Sequence, residues 1–194
     1  MAGAVAFASA GAGAAVGVGA AAGPAVADET PPVSDAEALS KCLVVERLMV
    51  LAYRRVLASG TLTPEVEDVI RPLLGHELQH AAAVAGRLQK MGVNADTGPL
   101  DLNSASAELS KHNVKDSLTE LHTMNDSLKL LVDLESVAEG VYFTALATLS
   151  KPGLQRLSAQ IMACEAQHWT ALSGLRNPGE YVKAVPWPFV TGSS

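Results

Sequence analysis

The chain has 194 residues and a net charge of −6, with 48% hydrophobic but only 4% aromatic residues. That length allows one domain with a sizeable core, and a composition dominated by Ala, Leu and Val favours closely packed helices over a β-rich fold. The acidic balance argues against nucleic acid as a partner, because no stripe of Lys and Arg is available to neutralise phosphates.

Residues 1–27 contain no charged side chain and consist largely of Ala, Gly and Val. An apolar run that ends in the small-x-small pattern Ala25-Val26-Ala27 predicts a secretory signal peptide, and so an exported protein, periplasmic or extracellular. The Lys or Arg expected before the run is missing; a start site assigned too far downstream, in a leader of the twin-arginine type, would explain that. A disordered low-complexity tail is the alternative. Pro24 and the many glycines disfavour a stable membrane span.

The first helix follows a linker at residues 28–33. Ser34 is its predicted N-cap, and Glu37 three residues later completes a capping box. The helix should end at Ser59-Gly60. Its inward positions at helical spacing are Leu39, Cys42, Glu46, Met49, Tyr53 and Val56.

The second helix should begin at Thr63-Pro64, a cap followed by proline at the first turn, and run to about Met91. Pro72 inside it is expected to kink the helix or delay its regular start. Its apolar stripe contains two residues foreign to a core, Glu77 and His80. They are three positions apart and therefore point to one face.

Residues 92–113 are rich in Gly, Pro, Asn and Ser and predict a long crossover, with a short helix at 104–112. A third helix is predicted from about Val114 to Leu149, and a fourth ends near Arg176. The segment 177–194 is rich in proline and is predicted to be extended.

The fourth helix repeats the polar pair of the second. Glu165 and His168 lie on an apolar stripe, and both motifs read Glu-x-Gln-His. Twelve Glu and five His in 194 residues would give only about 0.3 Glu-x-x-His matches by chance. A charge buried without a partner is very costly, so a metal ion is the simplest explanation for both pairs.

The first and third helices also match each other. Glu46 precedes Tyr53 by seven residues, and Glu135 precedes Tyr142 by the same interval. The midpoint between Glu46 and Glu77 falls in the first predicted turn, and that between Glu135 and Glu165 falls in the second. Because residues equidistant from a hairpin turn lie at the same height, each helical hairpin should place two glutamates side by side.

Two similar hairpins joined by a long connection predict a four-helix bundle with one polar layer. Its four carboxylates carry a charge of −4, which two divalent cations would balance while neutral imidazoles complete the coordination. Carboxylate and imidazole ligands without thiolate suit iron or manganese.

One Glu on each of two helices, with Glu-x-x-His on each of the others, resembles the di-iron carboxylate pattern of the ferritin-like superfamily. The resemblance covers residues 34–176 and is strongest to exported bacterial ferritin-like proteins; the chain lacks the Cys-rich module of rubrerythrin. It implies two bridging carboxylates, two capping imidazoles and two terminal carboxylates. By this resemblance Glu77 and Glu165 would be the bridging carboxylates and His80 and His168 the capping imidazoles. Glu46 and Glu135 would be the terminal carboxylates.

Other polar residues have more than one interpretation. Glu139 lies one turn after Glu135 and is either a carboxylate that shifts on oxidation or an alternative ligand. Tyr53 and Tyr142 are core residues whose hydroxyls would bond a ligand carboxylate. Cys42 and Cys164 are better explained as buried small side chains than as a disulfide.

Three functions are compatible with this pattern. The first is a di-iron oxidoreductase or ferroxidase that reacts with O₂ or peroxide, with no catalytic residue beyond the metal site. The second is a protein that binds or stores iron or manganese outside the cytoplasm, and the third is a structural helical bundle. The oligomeric state stays open, with a homodimer as one option.

Overall fold

The computed structural model describes residues 34–184, so the predicted signal peptide, the linker at 28–33 and residues 185–194 lie outside the described part. Within 34–184 every regular element is helical, which confirms the all-α prediction. The helices are α1 (Asp35–Ala58), α2 (Pro64–Lys90), α3 (Leu102–Lys111), α4 (Met124–Thr148), α5 (Pro152–Arg176) and α6 (Tyr181–Ala184).

The starts of α1 and α2 follow their caps. The Ser34 hydroxyl accepts a hydrogen bond from the Glu37 backbone N–H, and the Glu37 carboxylate accepts one from the Ser34 N–H. Thr63 caps α2 with Pro64 in its first turn, and α2 is continuous from there. Pro72 therefore does not delay the helix, because the missing N–H falls within a helix already nucleated and capped at Thr63.

The two long hairpins are α1–α2 and α4–α5, and α1 packs against α4 in the antiparallel direction. The beginning of α1 meets the end of α4 through Asp35, whose carboxylate accepts a hydrogen bond of 2.7 Å from the Ser150 N–H. At the other end Thr61, just after α1, lies 2.8 Å from Ser127 in the first turn of α4. The helices α2 and α5 make far fewer contacts with each other than any other neighbouring pair of the bundle.

The crossover between the hairpins runs along α1. Arg47 donates to the Gly98 carbonyl at 2.6 Å, and further along α1 Arg55 donates to the Leu118 carbonyl at 3.0 Å. The crossover contains α3 close to its predicted position, but α4 begins at Met124 and not near Val114 as predicted. The reason is a capping box in which Thr123 and Asp126 bond each other's backbone N–H groups, which fixes the start of α4 ten residues later.

The core consists of two apolar clusters on either side of a polar layer. One cluster includes Met49, Ile70 and Leu131, and the other includes Leu39, Val84 and Ile161. The interruption between them is where the buried glutamates lie. Of the helices in residues 34–184, none is both long enough and apolar enough to cross a membrane.

The sequence predicts an extended segment over residues 177–194, but the structure contains a short helix within it. Gly179, with φ of 80°, turns the chain after Pro178, and residues Tyr181–Ala184 then form one helical turn. Those four residues contain no proline, so their backbone N–H groups remain free to close that turn.

Candidate metal centre

Four helices contribute to one polar layer in the middle of the bundle. Glu46 comes from α1, Glu77 and His80 from α2, Glu135 from α4, and Glu165 and His168 from α5. The four glutamates have no exposed surface, and the side chains of His80 and His168 are 12% and 3% exposed. The structure thus brings together all six residues that the sequence singled out.

One half of the layer is built around His80. Its Nδ1 lies 2.9 Å from Glu165 Oε1, 3.7 Å from Glu77 Oε2 and 3.8 Å from Glu46 Oε2. One atom from each of these four side chains lies within 4.8 Å of the others, which is the span of ligands around one metal ion.

The other half is built around His168. Its Nδ1 lies 2.9 Å from Glu77 Oε1, 3.1 Å from Glu165 Oε2 and 3.5 Å from Glu135 Oε1. These four side chains again approach one another within 4.8 Å. Glu77 and Glu165 belong to both halves, and each offers a different oxygen to each histidine.

The carboxylate and imidazole atoms of this layer are poorly satisfied within the protein. Both side-chain oxygens of Glu77 and of Glu165 are buried without a well-formed hydrogen bond from residues 34–184, and so are Nδ1 of both histidines. Although some of these atoms are 2.9 Å apart, the angles are poor for hydrogen bonding. Buried polar atoms are normally satisfied, so this set of unsatisfied oxygens and nitrogens is compatible with metal binding.

Two tyrosines connect the hairpins through this layer. The hydroxyl of Tyr53 on α1 donates to Glu135 Oε1 on α4, and the hydroxyl of Tyr142 on α4 donates to Glu46 Oε1 on α1. Both rings are fully buried. Each tyrosine therefore fixes the carboxylate of the opposite hairpin and leaves its second oxygen, Oε2, without a partner.

Burial and crowding shift the acid–base equilibria of the layer. Burial, with the nearby charges of Glu165 and Glu77, raises the pKa of Glu46 and of Glu135 well above the usual range. Burial alone would lower the pKa of His80, but the adjacent carboxylates of Glu165 and Glu77 raise it to about 11. The pKa of His168 is raised for the same reason, against the effect of burial. In the metal-free protein, protons therefore compensate the charge that metal ions would otherwise balance.

Glu139 occupies a neighbouring position. It is 4% exposed, and neither four-residue group includes it. Burial and the charge of Glu165 raise its pKa to about 7. The Glu139 carboxyl group is thus close enough to interact electrostatically with Glu165. Glu135, and not Glu139, lies within a group of potential ligands.

A second cluster, which the sequence analysis missed, lies beside His168. His76 Nδ1 is 2.9 Å from His168 Nε2, and Cys164 Sγ is 3.4 Å from the same nitrogen. The signal was available, because His76 and Cys164 each directly precede the glutamate of a Glu-x-x-His motif. Cys42 is buried, and both cysteines are free thiols.

Residues 76–80 of α2 also match the pattern His-Glu-x-x-His. In this pattern two histidines on one face of a helix bind zinc. The structure does not group them in that way. His76 is placed with Cys164 and His168, whereas His80 is placed with Glu46, Glu77 and Glu165.

The fold and this site define a helical bundle with a buried carboxylate–histidine layer. A family described as ferritin-like domain matches residues 34–178, and the chain belongs to that family. The fold is similar to the crystal structure of a conserved hypothetical protein, rv2844, from Mycobacterium tuberculosis, with a TM-score of 0.61 and 16% identity over 80% of this chain and 93% of that chain. At this identity the likeness concerns the fold alone. No curated protein matches the chain significantly.

Proposed function

We propose that this protein is a dinuclear metal protein, with two iron ions held by Glu46, Glu77, His80, Glu135, Glu165 and His168, and that it reacts with O₂ or peroxide. The observation that carries the proposal is the sharing of Glu77 and Glu165 between two groups of four potential ligands. A carboxylate that belongs to both groups can bridge two ions, and one oxygen of each already approaches each histidine.

The donor set supports iron, with manganese as the alternative. The six residues offer oxygen and imidazole nitrogen, which suit these ions, and the two cysteines are not among them. Four ionised glutamates carry four negative charges, which two divalent cations neutralise in a region that water does not reach. A single divalent ion would leave two of those charges unbalanced.

The protein's own contribution would be to position the ligands and exclude solvent. Tyr53 and Tyr142 hold Glu135 and Glu46 in place through hydrogen bonds between the hairpins, and such outer contacts commonly set ligand orientation. The apolar clusters on both sides keep the layer dry. Bound iron would supply the electrons for reduction of O₂ or peroxide.

Anaerobic titration with Fe²⁺ followed by mixing with air tests the proposal. We expect binding to saturate at two ions per chain, and then a change in the visible spectrum on exposure to O₂. Saturation at one ion would contradict the dinuclear centre. Repeated O₂ consumption with a reductant would indicate an oxidoreductase, whereas a single oxidation of the bound iron would indicate a binding or storage protein.

A further inference from the structure

We propose that His76, Cys164 and His168 form an additional metal site, here called the outer site, which binds a borderline-soft divalent cation such as Zn²⁺. Two imidazoles and one thiol converge there from α2 and α5, and their ligating atoms all lie within 4.8 Å of one another. This ligand chemistry differs from that of the carboxylate layer, because thiolate with imidazole selects zinc-like ions over oxygen-seeking ones.

The distances are close to those of a tetrahedral site. Zinc bonds of about 2.0 Å to nitrogen and about 2.3 Å to sulfur imply separations of about 3.3 Å between two nitrogens and about 3.5 Å between nitrogen and sulfur. The observed separations are 2.9 Å for His76 Nδ1 to His168 Nε2, 3.4 Å for Cys164 Sγ to His168 Nε2 and 4.0 Å for Cys164 Sγ to His76 Nδ1. The observed separations differ from these values by about 0.5 Å or less.

The site is accessible, unlike the carboxylate layer. His76 on α2 is exposed and Cys164 on α5 is half-buried. Among the neighbouring long helices of the bundle, α2 and α5 pack least closely. Three protein ligands leave a fourth position for water or another small ligand, which is how accessible zinc sites are usually arranged.

His168 belongs to both metal regions. Its Nδ1 faces Glu77 and Glu165 in the buried layer, and its Nε2 faces His76 and Cys164. The outer site is thus one imidazole away from the proposed dinuclear centre. Neither His76 nor Cys164 is among the six residues of that centre, so substituting either of them tests the outer site alone. His168 is shared, and with both sites occupied it would bind as an imidazolate, its ring proton being released to solvent.

Cobalt is a suitable probe because its bond to a thiolate absorbs in the near ultraviolet, whereas carboxylate and imidazole ligands give no such band. Full-length reduced protein is titrated with Co²⁺ without oxygen. We expect the thiolate band in the wild-type protein and its loss in Cys164→Ser. In His76→Ala the Co²⁺ affinity of the outer site should fall by at least about tenfold, because even the loss of an outer contact to a metal ligand costs about 10–100-fold.

Two matched variants locate the signal. Cys42→Ala removes the other thiol, which is buried and belongs to no ligand group, and should retain the band. Glu46→Ala removes a ligand only of the dinuclear centre and should retain it as well. A band that survives in Cys164→Ser, or that disappears in Cys42→Ala, would overturn the proposal.

Zinc gives no colour, so protection of the thiol provides the second measurement. Alkylation of Cys164 by iodoacetamide, followed by peptide mass spectrometry, should slow on the order of tenfold when free Zn²⁺ is about ten times its dissociation constant. The His76→Ala variant should lose most of this protection at the same zinc concentration. Equal alkylation rates with and without zinc in the wild-type protein would refute the outer site.

Discussion

The two hairpins have the same ligands in different surroundings. In α1–α2 the sequence supplies Glu46 and then Glu77 with His80; in α4–α5 it supplies Glu135 and then Glu165 with His168. Each hairpin also provides a tyrosine, which bonds the glutamate of the other hairpin. The repeated part is therefore the layer that faces the middle of the bundle.

The residues just outside that layer are not repeated. Glu139 lies four positions after Glu135, whereas Val50 occupies the corresponding place after Glu46. His76 precedes Glu77, whereas Cys164 precedes Glu165. Near-symmetry at the centre with asymmetry around it indicates that the two proposed metal positions would have similar ligands but different neighbours.

The largest expected effect comes from the two shared carboxylates. Glu77→Ala and Glu165→Ala should each reduce binding from two ions to fewer than one per chain, because each removes a ligand from both positions. Metal analysis after anaerobic loading with Fe²⁺ measures this. Gln79→Ala is the matched control, since Gln79 is exposed on the same helix and its amide bonds only the Gly75 carbonyl within the described chain. Loss of a single ion in either glutamate variant would show that it does not bridge.

The histidines should have half that effect, because a terminal imidazole serves one ion. His80→Ala and His168→Ala are each expected to leave about one ion per chain in the dinuclear centre. They should differ at the outer site, where His168→Ala weakens Co²⁺ binding as His76→Ala does, while His80→Ala retains the wild-type affinity and band. If both variants behave alike in both measurements, the asymmetry between the hairpins has no consequence for metal binding.

The sequence predicted that these six side chains lie together, because helical spacing and turn position are local properties. The placement of Glu46 beside Glu77 required only the hairpin midpoint and a period of 3.6 residues. The predicted start of α4 was wrong by ten residues because the capping box of Thr123 and Asp126 was not recognised in the sequence. The contact of His76 with Cys164 was missed, although each directly precedes the glutamate of a Glu-x-x-His motif. Its distance depends on the packing of two helices that are not sequence neighbours.

The sequence does not predict how the charge of the layer is balanced in the metal-free protein. Four carboxylates imply strong repulsion, but the structure places an imidazole 2.9 Å from Glu165 and another 2.9 Å from Glu77. Two protonated histidines and two protonated glutamates, Glu46 and Glu135, would make the layer neutral. Two divalent ions would then replace four protons.

This exchange predicts that metal stabilises the protein more at higher pH. The folded-state pKa values of Glu46, Glu135 and His80 are raised, so the stability they contribute to the metal-free protein is lost as the pH rises through those values. In the metal-bound protein the cations balance the carboxylate charge, so its stability does not depend on these protons. At a fixed metal concentration the dissociation constant falls as the pH rises, because binding displaces protons. Once the metal concentration reaches about 100 times that constant, each site adds about 2.7 kcal/mol. Melting scans with and without Mn²⁺ should therefore diverge between about pH 5.5 and about pH 8, and a constant or shrinking difference would contradict this exchange.

The smallest expected effect on metal binding is that of Glu139, the carboxyl group without a counterpart in the first hairpin. Glu139→Gln should retain two ions per chain, whereas Glu135→Gln should lose the ion next to His168, because the group around that histidine includes Glu135 and not Glu139. Metal analysis of the two variants side by side measures the difference. Loss of an ion in Glu139→Gln with full occupancy in Glu135→Gln would exchange their roles.

Glu139 should affect the stability of the metal-free protein instead. Its pKa rises from 4.5 to about 7 on folding. Between these two pH values the folded protein holds this proton more tightly than the unfolded chain does, so the free energy of unfolding decreases as the pH rises. An amide of the same shape carries no charge at any pH, and Glu139→Gln should thus become more stable than the wild type by roughly 1–3 kcal/mol above pH 7, with little difference below about pH 4.5. Urea unfolding at several pH values measures this, with Glu120→Gln in the exposed part of the crossover as the control. The same pH profile for both variants would show that ionisation of buried Glu139 does not destabilise the protein. The two hairpins would then be more alike than their sequences indicate.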